Sequence, residues 1–242
     1  MEEEAGLPVH NPHDKFSKRT FSQLETARDF FRTYLPPRLA AAVDWSTLAL
    51  EPGSFVDERL AGSSSDLLYR VRCGDQPLLL YCLLEHQSTV DPDMPFRLLV
   101  YMVRIWERWR GQGPGEQKAP GIVPVVLHQG GETWTVSPRF QDWLGLPEAW
   151  RRELAPFQPD FEHVLVDLSG MGLEEVRGEL VLRLVLSLMK SVREGRLEEW
   201  LERLGPSLKE LLAKPDGLGI FRTLMLYAFA AEGGGLSTAA NL

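Results

Sequence analysis

The stretch Asp66–Gln87, DLLYRVRCGDQPLLLYCLLEHQ, says most about the fold. Its first arm, with the preceding Ser, is SDLLYRVRC, rich in Leu, Tyr and Val. Its second arm, PLLLYCLLEHQ, is an almost unbroken apolar run. Both suit extended strands. GDQP between them is turn chemistry, so the pair predicts an antiparallel hairpin. A turn over Gly74–Pro77 sets Cys73 against Leu78, and facing residues then have numbers adding to 151. On that register Asp66 stands directly across from Glu85, and strand alternation puts Gln87 on the same face. Directly opposed side chains have Cβ atoms about 4.5–5.5 Å apart, where two carboxylates repel. A divalent cation between them relieves the repulsion. Mg²⁺ is held by one or two carboxylates, waters and phosphate oxygens. It can polarise a phosphoryl group and activate water for in-line attack. The spacing thus suggests metal-assisted phosphodiester hydrolysis; the plainer alternative is two solvated acids at strand ends.

Working outward, Phe21, Leu24, Ala27, Phe31, Tyr34 and Leu35 recur at helical intervals. Ser22 and Glu25 have capping-box spacing, and Pro36-Pro37 ends the helix. RLAAAVDW (38–45) predicts a short helical piece and TLALEPGSFV (47–56) a strand. Downstream of the hairpin, PFRLLVYMVRIWERWRG (95–111) predicts a helix, apolar most of the way round and so largely buried. GIVPVVLHQG (121–130) reads as an inner parallel strand and FEHVLVDLSG (161–170) as a weaker one. Residues 173–192 and 194–213 read as amphipathic helices. The expected organisation is an α/β core over 13–168, a disordered tail over 1–12, a helical C-terminal region over 169–232 and a frayed tail over 233–242.

The chain has 242 residues, 44% of them hydrophobic, enough to bury a core. Lys and Arg number 26 against 34 Asp and Glu, a net charge of −8, so no basic field covers the whole chain. Any nucleic-acid contact must use a local patch or a cation. Positive residues exceed acids by three in 13–38 and again in 94–118. Cys73 and Cys82 are the two cysteines, too few for a disulfide framework or a cysteine zinc site, and out of opposition for pairing. A reducing cytoplasm is the expected location. The acidic start MEEEAGLPVH does not read as a secretory leader. Arg183, Lys190 and Arg222 interrupt the apolar stretches at 177–190 and 219–231, so no membrane span is expected. No phosphate-loop, nucleophile-elbow or H-E-x-x-H motif is present.

SSSDLLYRVR, LLEHQST, MPFRLLVYMVRIWERW and IVPVVLHQG, in that order, resemble the Rpn (YhgA-like) family of recombination-promoting nucleases, also labelled transposases. HDKFSKRTFS with ARDFFRTYLP resembles that family's opening, and the likeness runs from about His13 to Asp167. It implies a PD-(D/E)xK-type nuclease core: helix, three antiparallel strands, helix, strand. Asp66 then matches the superfamily Asp, Glu85 the acid of its E-x-K element, and Gln87 stands at the Lys position. Gln can only donate a hydrogen bond there, to help place the attacking water, whereas Lys would bring charge. The resemblance implies an endonuclease dependent on Mg²⁺ (Mn²⁺ as a substitute), with DNA as partner, acting in recombination or mobile-element biology, and a homo-oligomer as a further expectation. Two alternatives stand beside it: a DNA-binding or assembly protein with a decayed site, and a true transposase performing strand transfer. His13-Asp14 could complete the metal site or meet a phosphate; a helix-capping role competes. His86 is expected in the core, Asp57 and Glu58 in a solvated loop, and Trp106 and Trp109 in the core.

Overall fold

The structure, a computed structural model, describes residues 12–52, 66–85, 90–111 and 118–239, without the side chains of Glu85 and 232–239. Asp57, Glu58, His86 and Gln87 lie outside the described residues. The chain opens with α1 (Pro12–Phe21), α2 (Leu24–Tyr34) and α3 (Pro37–Ala42). A sheet follows from β1 (Val43–Leu50), β2 (Leu67–Cys73) and β3 (Gln76–Glu85). Helix α4 (Met94–Gly111) leads to β4 (Gly121–His128). Short helices α5 (Phe140–Trp143) and α6 (Arg151–Leu154) precede β5 (Val164–Asp167). The described chain closes with α7 (Leu180–Arg193), α8 (Leu197–Leu212) and α9 (Gly217–Ala239).

The strands form one mixed sheet in the order β1-β2-β3-β4-β5. β1, β2 and β3 pair antiparallel; β3-β4 and β4-β5 are parallel. Parallel neighbours need a long crossover, and α4 supplies it between β3 and β4. This covers both sides of β3, which explains its continuous apolar run. Leu79, Tyr81 and Leu83 pack under α4 with Leu98, Tyr101 and Ile105. Leu80, Cys82 and Leu84 face a larger cluster that takes in α1, α2 and α7 to α9. The C-terminal helices therefore cover one side of the sheet.

Several local expectations need correcting. The hairpin turn is Gly74-Asp75, with Cys73 opposite Gln76, so partner numbers add to 149. Gly74 has φ +59°, the left-handed region a two-residue turn uses. Pro77 belongs to β3 opposite Arg72. It is tolerated there because alternate residues of an antiparallel pair do not bond to that partner, and β4 pairing begins only at Leu78. The expected capping box is not formed. The Ser22 hydroxyl donates back to the Lys18 carbonyl at 2.6 Å, closing α1, so the predicted single helix is two. α4 is buried along one side only, leaving Phe96 and Val103 exposed. Trp106 and Trp109 are half-buried rather than core. In addition, α7 begins at Leu180, and α9 continues past Gly233 to Ala239.

Candidate functional site at the end of the hairpin

Asp66 immediately precedes β2 and is half-buried. The Tyr81 hydroxyl donates to its Oδ2 at 2.7 Å. Tyr81 pairs with Leu68, two residues beyond Asp66, so the phenol reaches diagonally along one face of the hairpin. Burial, and then the negative charge of Asp66, push the Tyr81 phenol well above its ordinary range. At neutral pH it is therefore a donor that fixes the carboxylate, not a base. Tyr101 stacks obliquely on Tyr81 from α4, with ring centroids 5.4 Å apart. Arg97, paired with Asp91 at 2.7 Å, is close enough to oppose the rise in the Tyr81 pKa slightly. The chain thus seats a carboxylate at the lip of the sheet, with an aromatic floor and a cation nearby.

The observed register moves Glu85 relative to Asp66. Extended by one residue, it sets Asp66 against Leu83, and Glu85 falls two positions further along β3. Direct opposition of the two acids is therefore wrong. A shift of two residues preserves strand parity, so Asp66 and Glu85 remain positions on one face, as diagonal neighbours. Such neighbours lie about 7–8 Å apart, still within reach of long side chains. Across the parallel strands Glu85 is in register with His128, and His128 with Asp167. Asp167 is committed to local structure: its oxygens accept from the backbone N–H of Trp134 and from both N–H and hydroxyl of Ser169. His128 is fully buried against Trp134, with Nε2 2.9 Å from the Glu132 carbonyl. His163 flanks the same Trp134, and burial pushes its pKa down to about 4.

His13 and Asp14 occupy the first turn of α1 rather than the segment before it. His13 Nδ1 meets the Tyr227 hydroxyl of α9 at 2.8 Å, and Phe16 stacks on the same ring. Tyr227 belongs to the helical side of the sheet, whereas Tyr81 belongs to the α4 side. These contacts tie His13 to the C-terminal helix. Among the described residues, no three or more His, Cys, Asp or Glu side chains gather as a metal cluster. Mg²⁺ needs no such cluster, because one or two carboxylates suffice when waters and phosphate complete its shell. The chemistry of a half-buried, phenol-anchored Asp66 with an acidic position on the same face fits that ion.

A family model described as "Putative transposase, YhgA-like" matches residues 11–218. This chain belongs to that family. Within it, the chain is 34% identical over 221 residues to the recombination-promoting nuclease RpnC of Escherichia coli strain K12, covering 90% of this chain and 71% of the relative. It is 31% identical over 194 residues to RpnA of the same strain, covering 80% and 64%. The inactive recombination-promoting nuclease-like protein RpnE, also from that strain, is 31% identical over 194 residues, covering 80% of this chain and 63% of the relative. The chain thus spans less than two thirds of the length of RpnA and RpnE. No solved structure matches it. Among the described residues, no helix is long and apolar enough to cross a membrane.

Sequence reading missed Tyr81 and counted Arg97 only within the positive stretch 94–118, so their place beside Asp66 comes from geometry. Parity was the available signal for Tyr81, an odd-numbered β3 position like Glu85. The charge of Arg97 was legible, but its place beside the phenol was not, because only the docking of α4 brings it there.

Proposed function

We propose that this chain is a Mg²⁺-dependent DNA endonuclease of the PD-(D/E)xK type acting in recombination. The observation that carries the reading is Asp66, anchored by Tyr81 on the face that also holds the Glu85 position. The named nucleases among its relatives support the reaction class. The order of helix, three antiparallel strands, helix and strand supports the core assignment.

Asp66 and Glu85 would hold the ion, which when bound would polarise the scissile phosphate and ease ionisation of the attacking water. Tyr81 holds the Asp66 carboxylate in one orientation, so less ordering is needed when the substrate arrives. Gln87 is assigned to steer the water by hydrogen bonding. The free thiols of Cys73 and Cys82 suit a cytoplasmic setting. The test is supercoiled plasmid incubated with Mg²⁺ or Mn²⁺. The wild type should nick it, and Asp66→Asn and Glu85→Gln should not. A metal-independent cut, or full activity in both variants, overturns the reading.

A second reading is favoured by one residue and one relative: Gln87 stands where a Lys is expected, and RpnE is named inactive. On it, the chain binds DNA with a decayed site, and no nicking accompanies binding. Joined ends in the same assay would instead point to strand transfer.

A further inference from the structure

Besides the Asp66 end, β2 carries a second chemical feature at its turn end. A cavity of about 660 Å³ opens there, lined by Arg70, Arg72, Lys118, Trp109, Thr47 and Asp75 among others. Its origin is an irregularity in β1. Asp44 pairs with Arg72 but Ala49 pairs with Arg70, so five steps of β1 oppose two of β2. The Thr47 hydroxyl oxygen, 2.9 Å away, takes the Arg72 backbone N–H, and the bulged strand leaves a hollow beside the hairpin.

The groups around this hollow suit an anion. Arg70 is set by Nε on Glu51 at 2.9 Å. Arg72 is 54% exposed; Asp44, opposite it on β1, feels its charge, and Asp75, 3.5 Å away and fully exposed, is its ion-pair partner. Such a surface pair is worth about 0–1 kcal/mol and exchanges readily for a stronger anion. Lys118 is exposed at the rim. Trp109 of α4 lines the hollow as well.

Placement says which anion. Arg70 and Arg72 are even-numbered β2 positions, on the face that Asp66 occupies just before the strand. At about 3.3 Å per residue, Arg72 lies roughly 20 Å from Asp66. That is over half of a B-form helical turn of about 34 Å.

We propose that this cavity is a second phosphodiester-binding site, which grips the backbone of duplex DNA about half a turn from the Asp66 end. The inference rests on the nuclease reading for its partner, and its test is separate from that of catalysis. The two Arg side chains and Lys118 neutralise backbone phosphate. The site adds affinity without base readout.

The test is fluorescence anisotropy of a labelled 20-base-pair duplex with the full chain, in Ca²⁺, over a salt series. Arg72→Glu/Lys118→Glu should weaken binding at least tenfold and lower the slope of log K against log salt by about 2. Unfolding midpoints are measured alongside, and the milder Arg72→Gln/Lys118→Gln replaces the charge reversal if that variant unfolds. Unchanged affinity and slope in the folded variants overturn the proposal. So does binding of inorganic phosphate at the hollow that leaves duplex affinity unchanged, which would mark a small-anion site. If plasmid nicking needs Asp66 while these variants bind DNA normally, the nuclease reading stands and this one falls. If they lose binding while no variant or wild type nicks, the reverse holds.

Discussion

The two sides of the sheet are built for different ends. On one side, α1, α2 and α7 to α9 bury a continuous apolar cluster from Phe16 to Tyr227. Two of its buried polar groups pair within it: the Trp200 indole donates to Ser187 Oγ at 2.9 Å, and the Tyr69 hydroxyl donates to the Phe21 carbonyl at 2.5 Å. On the other side a single long helix, α4, covers a smaller cluster, and the sheet's margins stay open. The Asp66-Tyr81 pair and the Arg72 hollow both belong to that thinner side. Stability is concentrated where helices are thick, and the groups able to meet a ligand lie where they are thin. This is the usual relation between a rigid scaffold and an accessible site.

Substitutions can break this contrast. The largest effect is expected from Asp66→Asn on the thin side. Metal-dependent nicking should fall at least about 10³-fold, roughly 4 kcal/mol in barrier, while thermal unfolding barely moves. A large fall in melting temperature would show Asp66 to be part of the scaffold. On the thick side, Trp200→Ala removes a fully buried ring. Large-to-small changes of this kind cost about 3–5 kcal/mol, which denaturant titration would read, with no specific loss of DNA affinity in the protein that remains folded.

A pH titration sharpens the contrast next. His163, with a folded pKa of about 4, favours the neutral form. Unfolded, a histidine titrates near 6.5. The unfolded chain therefore binds more protons between these values, and stability falls as pH drops from about 6.5 towards 4. The full contribution is about 3 kcal/mol. His163→Leu should flatten that window in urea titrations at stepped pH; an unchanged slope would disprove the assignment.

Two tyrosine-to-phenylalanine changes form a matched pair. Tyr69→Phe strands the Phe21 carbonyl and should cost about 1–2 kcal/mol of stability without altering activity. Tyr81→Phe releases Asp66 and should lower activity about 10–100-fold, as loss of a group that orients a metal ligand does. Equal stability losses and equal activities would erase the distinction between the sides. The smallest effect is expected at the exposed Arg104-Glu107 pair on α4. Arg104→Ala should shift stability by less than about 0.5 kcal/mol.

Much of this was legible in the chain itself. Strand identities followed from apolar runs between turn residues. Pro36-Pro37 ended α2, and the apolar character of β4 gave its inner position. The family was legible too, because several motifs recur in fixed order. The hairpin register was not. GDQP allows a four-residue or a two-residue turn, and the choice rests on whether Pro77 can sit in a strand, which depends on β4 pairing only from Leu78 onward.

Local sequence determined which segments extend, which coil and which acids lie on one strand face, because side-chain alternation and helical periodicity are properties of the backbone alone. What surrounds those acids was decided only by tertiary packing. The Tyr81 hydroxyl meets Asp66 through cross-strand register, Arg97 comes near through the docking of α4, and His13 is claimed by Tyr227, a residue 214 positions away. Contacts between distant residues depend on how layers stack, and no local pattern encodes that.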